Sequence, residues 1–300
     1  MKVLVSSAGC VNGVNVIKAL KEKYEIVACD ADKLSAGLYL ADKHYVIAPF
    51  TDEYNYIGDL GEIACAKEDI DIIIPTHSGE LPVLALNREY FIRRGLKMLL
   101  SSYEVYELTE NKVKCNAYLE SIGIHIPKQY PKEFPVMVKP IIGSGSKNTN
   151  IANNKEELKV FCKKDMFYEE KIDGTEYTID GISDGQMKMI CALPRIRIEK
   201  KGGLATKSTT INEPRLVDLA KFIVESMGVV GAFNIQCIER DNKYYVIDVN
   251  IRFPSGGLPL DVASGMNTPE MMIDLLQGKK VNPKLVYGKT MLRYLESLII

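Results

Sequence analysis

The sequence predicts an α/β chain: a leading unit on a parallel sheet, then an α+β unit. Three observations predict it. Over residues 1 to about 105, short continuously apolar strands alternate with helix patterns, as strands covered on both faces require. Prolines 127, 131 and 135 and the run Ile141-Ile-Gly-Ser-Gly-Ser-Lys-Asn148 then interrupt that alternation. Finally, Gly231–Ile238 and Tyr244–Ile251 are β-branched and aromatic runs joined by the polar Glu239–Asn242, the pattern of an antiparallel hairpin.

In order, Lys2–Ser6 reads as a strand, 9–13 as a Gly/Asn loop and Val14–Lys23 as a helix. Glu25–Asp30, Asp71–Pro75 and Leu96–Leu100 read as further strands. The loop Gly9-Cys-Val-Asn-Gly13 lacks the Gly-x-Gly-x-x-Gly spacing of dinucleotide sites, although Asp30 ends the second strand at a suitable distance. A tight turn and an anion site at the helix N-terminus both stay open. Val105–Gly123 reads as one helix, with Thr109 as N-cap and Gly123 as C-cap. Pro135–Pro140 is a strand, Asn154–Lys163 a helix, and Met166–Lys171 a strand broken at Asp173-Gly174. Strands at Glu176–Gly181 and Met187–Leu193 follow, with helices at Pro214–Met227 and Pro269–Leu276. The expected boundaries are 1–105, 106–172 and 173–300.

With 46% hydrophobic residues and a net charge of -1, a sizeable core is affordable. Nothing in the balance points to a nucleic-acid or membrane-surface binder. No apolar run approaches the ~18 residues of a membrane span, and no signal peptide is read at the N-terminus. The seven cysteines are scattered, odd in number and without a Cys-x-x-Cys pair, and the three histidines are dispersed. This fits reduced thiols in a cytoplasmic protein better than a disulfide framework or a zinc site.

The residues that carry chemistry cluster late in the chain. Asp248, Asn250 and Arg252 stand at i, i+2 and i+4, which on a strand puts all three on one face. Buried charge is costly unless paired, whereas hard oxygens beside a fixed cation suit Mg²⁺ and phosphate. A half-buried hairpin with a solvated polar face is the other reading. Gln236 lies opposite that face if the strands pair. Lys139 precedes the Gly/Ser loop, so a mobile charge and free backbone N–H groups could meet phosphates, without the Walker spacing; an ordinary turn is the alternative. Tyr168-Glu-Glu-Lys-Ile172 offers a strand edge to an adenine, with Glu176 for ribose hydroxyls, or it is a charged surface turn. Arg195 and Arg197 share a strand face and Lys207 follows the Gly202-Gly203 turn; a solvated edge strand is the plainer reading. Ser255-Gly256-Gly257 is a loop whose backbone could hold substrate.

The order of these motifs resembles the ATP-grasp superfamily, most closely short proteins similar to the synthetase domain of the carbamoyl-phosphate synthase large subunit. The matching residues are Asn111-Lys112, Val138-Lys139-Pro140, Gly143-Ser-Gly-Ser146, Glu169-Glu170-Lys171-Ile172, Gly174-Thr-Glu176, Asn234-Ile-Gln236 and Asp248-Val-Asn250-Ile-Arg252. The resemblance covers essentially the whole chain, since the leading α/β unit, with Pro75-Thr76 and Glu80-Leu81, looks like the domain that precedes ATP-grasp in that group. The resemblance implies a Rossmann-like pre-ATP-grasp domain before a two-lobed ATP-grasp domain. Lys112 and Lys139 would then hold phosphates, and Gly143, Ser144, Gly145 and Ser146 would close over them. Glu169, Glu170, Lys171 and Ile172 would frame the adenine, and Glu176 would bind the ribose. Gln236, Asp248 and Asn250 would ligate one or two Mg²⁺, with Mn²⁺ as a substitute. Arg252 would act on the transferred phosphoryl group, with Arg195 and Lys207 lining the acceptor or acyl-phosphate site.

The implied chemistry joins a small-molecule carboxylate to an amine through an acyl phosphate. Asp248 is one methylene shorter than the Glu common in the family, and Gln236 stands where many relatives carry a carboxylate; the resemblance thus implies one formal negative charge among the three ligands and a weaker second metal. A carbamate or carboxylate kinase and a catalytically silent ATP-binding module are the rival readings, and a homodimer is the default expectation.

Overall fold

The computed structural model describes residues 1–143 and 148–300; the expectations for Ser144, Gly145 and Ser146 therefore lie outside the described residues. The first unit alternates β1 (Lys2–Ser6), α1 (Val11–Leu20), β2 (Glu25–Asp30), α2 (Ala36–Leu40), β3 (Lys43–Val46), α3 (Glu53–Glu62), β4 (Ile72–Pro75), α4 (Glu80–Leu86) and α5 (Arg88–Ile92). The four strands form a parallel sheet in the order β3-β2-β1-β4. Val3, Leu4, Val5, Ile73 and Ile74 are fully buried, as a sheet covered on both faces demands. Helix α1 begins earlier than its apolar pattern suggests, because the Cys10 thiol caps it by accepting from the Gly13 N–H at 3.3 Å.

Two expectations are corrected here. Leu96–Leu100 adds no strand: it touches the sheet only through a parallel bridge between Ile72 and Lys97. The helix expected over Val105–Gly123 is two helices, α6 (Tyr103–Glu110) and α7 (Lys112–Ser121). Asn111 between them is extended (φ -90°, ψ 101°), and its side chain accepts from the Lys114 N–H. Thr109 is no cap; its hydroxyl turns back to the Val105 and Tyr106 carbonyls. Gly123 does close α7, at φ +81°, where a Cβ is disfavoured.

A second sheet combines β5 (Val136–Pro140), β6 (Asn150–Ala152) and β7 (Met166–Glu170) in the order β6-β5-β7, with α8 (Lys155–Phe161) beside it. It has its own small core of Val136, Val138 and Ala152 under Phe134, Leu158 and Tyr168. The third sheet has the order β12-β11-β8-β9-β10-β13 and is antiparallel throughout. Its strands are β8 (Thr175–Ser183), β9 (Met189–Lys201), β10 (Leu204–Thr210), β11 (Gly231–Arg240), β12 (Lys243–Asn250) and β13 (Thr290–Leu292). Helices α9 (Pro214–Met227), α10 (Leu258–Ala263) and α11 (Thr268–Leu276) complete the unit.

One apolar cluster runs from Leu4, Val27 and Leu81 through Tyr106 and Leu119 to Ile179, Phe233 and Ile235, so the first and third sheets share a core that the small sheet does not enter. Among the described residues no helix is long and apolar enough to cross a membrane.

The β11–β12 turn is tighter than its polar run implies. Only Asp241 and Asn242 form it, at φ 51° and 61°, the left-handed pair that a two-residue hairpin turn needs. Phe233 packs its ring edge on Gly181: a Cβ there would sit 2.4 Å from Phe233 Cζ and 2.7 Å from the Cys191 carbonyl oxygen. Gly181→Ala is expected to lower stability by about 1–3 kcal/mol through this overpacking, read as a fall in the urea midpoint at unchanged m-value.

Candidate active site

The β11–β12 register pairs Gln236 with Asp248 and Asn234 with Asn250, and a register shift follows at Gln236/Cys237. The expected face is real. Asn250 Nδ2 donates to Asp248 Oδ2 at 2.8 Å, and Arg252 Nη2 donates to Asn250 Oδ1 at 3.1 Å. Arg252 also donates to Ser255 Oγ and the Phe253 carbonyl, both at 3.1 Å.

Asn250 and Arg252 of this face line a hollow with Asp248; only Asp248, with Gln236 beside it, lines the adjoining cavity of about 550 Å³ between the small sheet and the large one. Lys112, Lys139, Gly143, Glu169, Glu170, Lys171, Ile172, Glu176, Gln236 and Asp248 all line it. Helix α7 delivers Lys112 from its first turn, and β5 delivers Lys139 from its last residues. Strand β7 alternates, so Glu169 turns inward, nine-tenths or more buried, onto Lys139, while Glu170 pairs with Arg240.

The cavity's cations are already partnered by its acids. Lys112 Nζ stands 3.3 Å from Asp248 Oδ1 and donates to the Gly143 carbonyl at 2.9 Å. Arg197 Nη1 reaches Glu176 Oε1 at 2.5 Å and Gln236 Oε1 at 2.8 Å, and Lys200 pairs with Glu176 as well. Lys171 pairs with Asp173. Burial alone would push the Asp248 carboxyl up. The Lys112 charge, the Asn250 hydrogen bond and the Lys139 and Arg252 charges outweigh it and hold Asp248 below the usual 3.8.

A smaller recess of about 100 Å³ continues past Gln236 and Asp248 and is lined by Arg195, Arg197, Arg252, Asn234, Ser255 and Gly256. Arg195 is buried and donates through Nε to Asp180 Oδ2 at 2.5 Å. Gly257 packs so closely on this pair that a Cβ would lie 2.3 Å from Asp180 Oδ2. Below it, Asp261 is fully buried with neither carboxyl oxygen hydrogen-bonded among the described residues. Burial, then the Asp180 charge, pushes its carboxyl well up, favouring the neutral acid.

Lys207 is not brought to the site. It pairs with Glu199 at 2.7 Å with half its side chain exposed. The register of β10 shifts on both sides of Lys207, and its neighbour Ser208 is the residue paired with Arg197. Sequence reasoning also missed Lys200, Asp180 and Asp261. Nothing local marks the last two, because Asp180 meets Arg195 only across the β8–β9 pairing. Arg197 was legible from its i+2 spacing to Arg195, but not as the side chain that holds Glu176 and Gln236 together.

The donor set of Gln236, Asp248 and Asn250 is one carboxylate and two amide oxygens. Hard oxygens of this kind fit Mg²⁺ that shares phosphate oxygens.

Two family models match the chain: "PylC-like, N-terminal domain" over residues 3–99 and "ATP-grasp in the biosynthetic pathway with Ter operon" over residues 163–297. The carbamoyl phosphate synthase large chain of Pseudothermotoga lettingae is 27% identical over 314 residues, covering 91% of this chain and 27% of that protein. The chain thus spans about a quarter of such relatives. The 3-methyl-D-ornithine--L-lysine ligase of Methanosarcina mazei is 24% identical over 78% of this chain and 63% of its own length.

Among solved structures, the biotin carboxylase domain of the Hydrogenobacter thermophilus 2-oxoglutarate carboxylase, described as a dimer with MgADP, ADP and bicarbonate, superposes with a TM-score of 0.71 at 18% identity, over 96% of this chain and 73% of that one. N5-carboxyaminoimidazole synthetase of Staphylococcus aureus complexed with ADP gives 0.73 at 16% identity, over 95% and 79%. At these identities the likeness is one of fold.

Replacing Lys112 by Met removes the strongest cation acting on Asp248, so its carboxyl should titrate at a higher pH. Because the folded value lies below 3.8, the ionised carboxylate stabilises the fold above about that pH and ceases to as pH falls further. Carbon-detected NMR titration of the carboxyl reads the shift, and an unmoved titration would contradict the coupling.

Proposed function

We propose that this chain, an ATP-grasp protein by its fold and its two family matches, is a Mg·ATP-dependent ligase that joins a small-molecule carboxylate to an amine through an acyl phosphate. One observation carries the reading: a single cavity is lined by Lys112 and Lys139, by the buried Glu169 behind Lys139, and by Gln236 and Asp248, and it runs on into a recess with three arginines.

In this reading Lys112 and Lys139 leave Asp248 and Glu169 to meet phosphate oxygens, and Gly143 to Ser146 cover the triphosphate. Glu169 to Ile172 border the adenine, and Glu176 exchanges Arg197 and Lys200 for ribose hydroxyls. Gln236, Asp248 and Asn250 would hold Mg²⁺, which when bound neutralises phosphate charge and aligns the γ-phosphoryl group. The substrate carboxylate lies against Arg195, Arg197 and Arg252. Its oxygen attacks the γ-phosphorus, the bridging oxygen departs with ADP, and the amine nitrogen then displaces phosphate from the acyl carbon. Positioning and charge neutralisation are the main demands of such transfers, and no protein nucleophile is required.

The carbamoyl phosphate synthase relatives favour a second reading, a carbamate or carboxylate kinase that releases the acyl phosphate. Product analysis with and without an amine mixture separates the two.

Calorimetry with Mg·ATP should detect binding, and a phosphate-release screen over a carboxylate-by-amine matrix should find turnover; failure to bind Mg·ATP refutes the reading. Lys139→Ala or Asp248→Ala should lower turnover by about 10²-fold or more at unchanged far-UV circular dichroism. The single carboxylate among the metal ligands predicts a weak second ion. Anomalous density at two full sites in Mn²⁺-soaked crystals would contradict that prediction.

A further inference from the structure

Beneath the arginine recess lie two fully buried carboxyls, Asp180 on β8 and Asp261 on α10. Helix α10 brings them together. Its N-cap Gly257 packs on the Asp180–Arg195 pair, and the Asp261 N–H donates to the Gly257 carbonyl at 3.0 Å, so Asp261 stands one turn further along the same face.

The two carboxyls are served unequally. Arg195 donates to Asp180 Oδ2 through Nε at 2.5 Å and to Oδ1 through Nη2 at 3.4 Å. Asp261 has no donor at either oxygen among the described residues. Its hydrogen-bonding partner is the Asp180 carboxyl itself, and two carboxylates form no such bond, since each only accepts. Ionised, Asp261 would be a buried anion without a donor beside a second anion, which burial makes very costly. With one proton retained, the O–H of one carboxyl closes on the other, and Asp180 and Arg195 balance in charge. Burial and then the Asp180 charge accordingly raise the Asp261 carboxyl, with Arg195 opposing.

Other charged groups around α10 have partners of their own. The helix packs against α1, α11 and β13. Lys18 of α1 pairs with Glu296, and Glu270 and Asp274 of α11 pair with Lys23 and Lys279. Lys289 donates to the Ala263 carbonyl, and β13 has no titratable side chain. Cys191 of β9 is a neutral thiol, pushed up to about 12 by burial and then by the Asp261 charge.

We propose that Asp180 and Asp261 share one proton beneath the recess, and that Asp261 is a positioning residue which acts through Asp180 to hold Arg195 where an anionic substrate group would meet it. A neutral Asp261 fixes Asp180 without adding charge. An ionised one would set two anions under one guanidinium and cancel much of the attraction that the recess offers to a carboxylate. The inference rests on the ligase reading only for the substrate group given to Arg195.

Its tests use folding and spectroscopy rather than turnover. The folded state holds a proton that the unfolded chain releases above about pH 4, so stability falls as pH rises until Asp261 ionises in the fold as well. Asp261→Asn keeps a donor toward Asp180 and has no proton to lose. Its folding constant relative to wild type should rise with pH between about 4 and 8, by up to about tenfold per unit, in urea denaturation; parallel profiles overturn the shared proton. The infrared difference between wild type and Asp261→Asn at neutral pH should show a protonated-carboxyl carbonyl band that shifts in D2O, and its absence has the same consequence. Asp261→Ser, also an uncharged donor, repeats both comparisons if Asp261→Asn does not fold. The Arg195 Nε–H resonance, identified by its loss in Arg195→Lys, should exchange slowly in wild type and Asp261→Asn, and about tenfold or more faster in Asp261→Val, which removes the donor. Equal exchange in all three overturns the positioning role. Absent Mg·ATP binding or absent phosphate release would instead sink the ligase reading and leave these readouts unchanged.

Discussion

The site depends first on the register of the β11–β12 hairpin. Strand side chains alternate faces, so a slip of one residue would send Asp248 and Asn250 into the apolar cluster and bring Val249 into the cleft. Several features oppose the slip. Asp241 and Asn242 turn the chain in two residues with positive φ. Val246 and Val249 are buried on the opposite face. The register shift beside Gln236 then lets Gln236, Asp248 and Asn250 meet in one layer.

The second constraint is charge. Lys112, Lys139, Arg197 and Lys200 would repel one another around a half-closed cleft if each stood alone. The fold answers with Asp248, Glu169 and Glu176, one carboxylate facing each cation or shared between two. Such pairs add little net stability, because desolvation offsets much of the Coulomb gain. Their effect is to hold long, flexible side chains near the positions a triphosphate would use, which reduces the ordering left for the ligand to impose. Beneath the recess, Arg195 is fixed more firmly by Asp180 and by the close packing of Gly257.

The small sheet stands apart energetically. Its core of three fully buried residues is separate from the cluster shared by the other two sheets. The cleft thus lies between a broad platform with an extensive core and a lobe with a modest one. Contact density of this kind marks the segments that open at least cost.

Much of the fold was legible in the sequence, because apolar periodicity and turn chemistry are local. The parallel sheet, the hairpin and the Pro214–Met227 helix follow from residues within a few positions of one another. The strand expected at Leu96–Leu100 and the unbroken helix through Asn111 did not follow. Apolar character alone does not say whether a segment pairs with a neighbour, and an asparagine can cap a helix as well as sit within one. The strand face of Asp248, Asn250 and Arg252 could be read because its spacing is local too. Only the tertiary structure decided which partners those residues meet: Lys112 on Asp248, Arg197 across Glu176 and Gln236, Asp180 under Arg195, and Lys207 turned away onto Glu199. These contacts join strands and helices far apart in the chain, through registers that no local pattern encodes. The sequence determined which chemistry is present, and the packing of the three sheets determined where it converges.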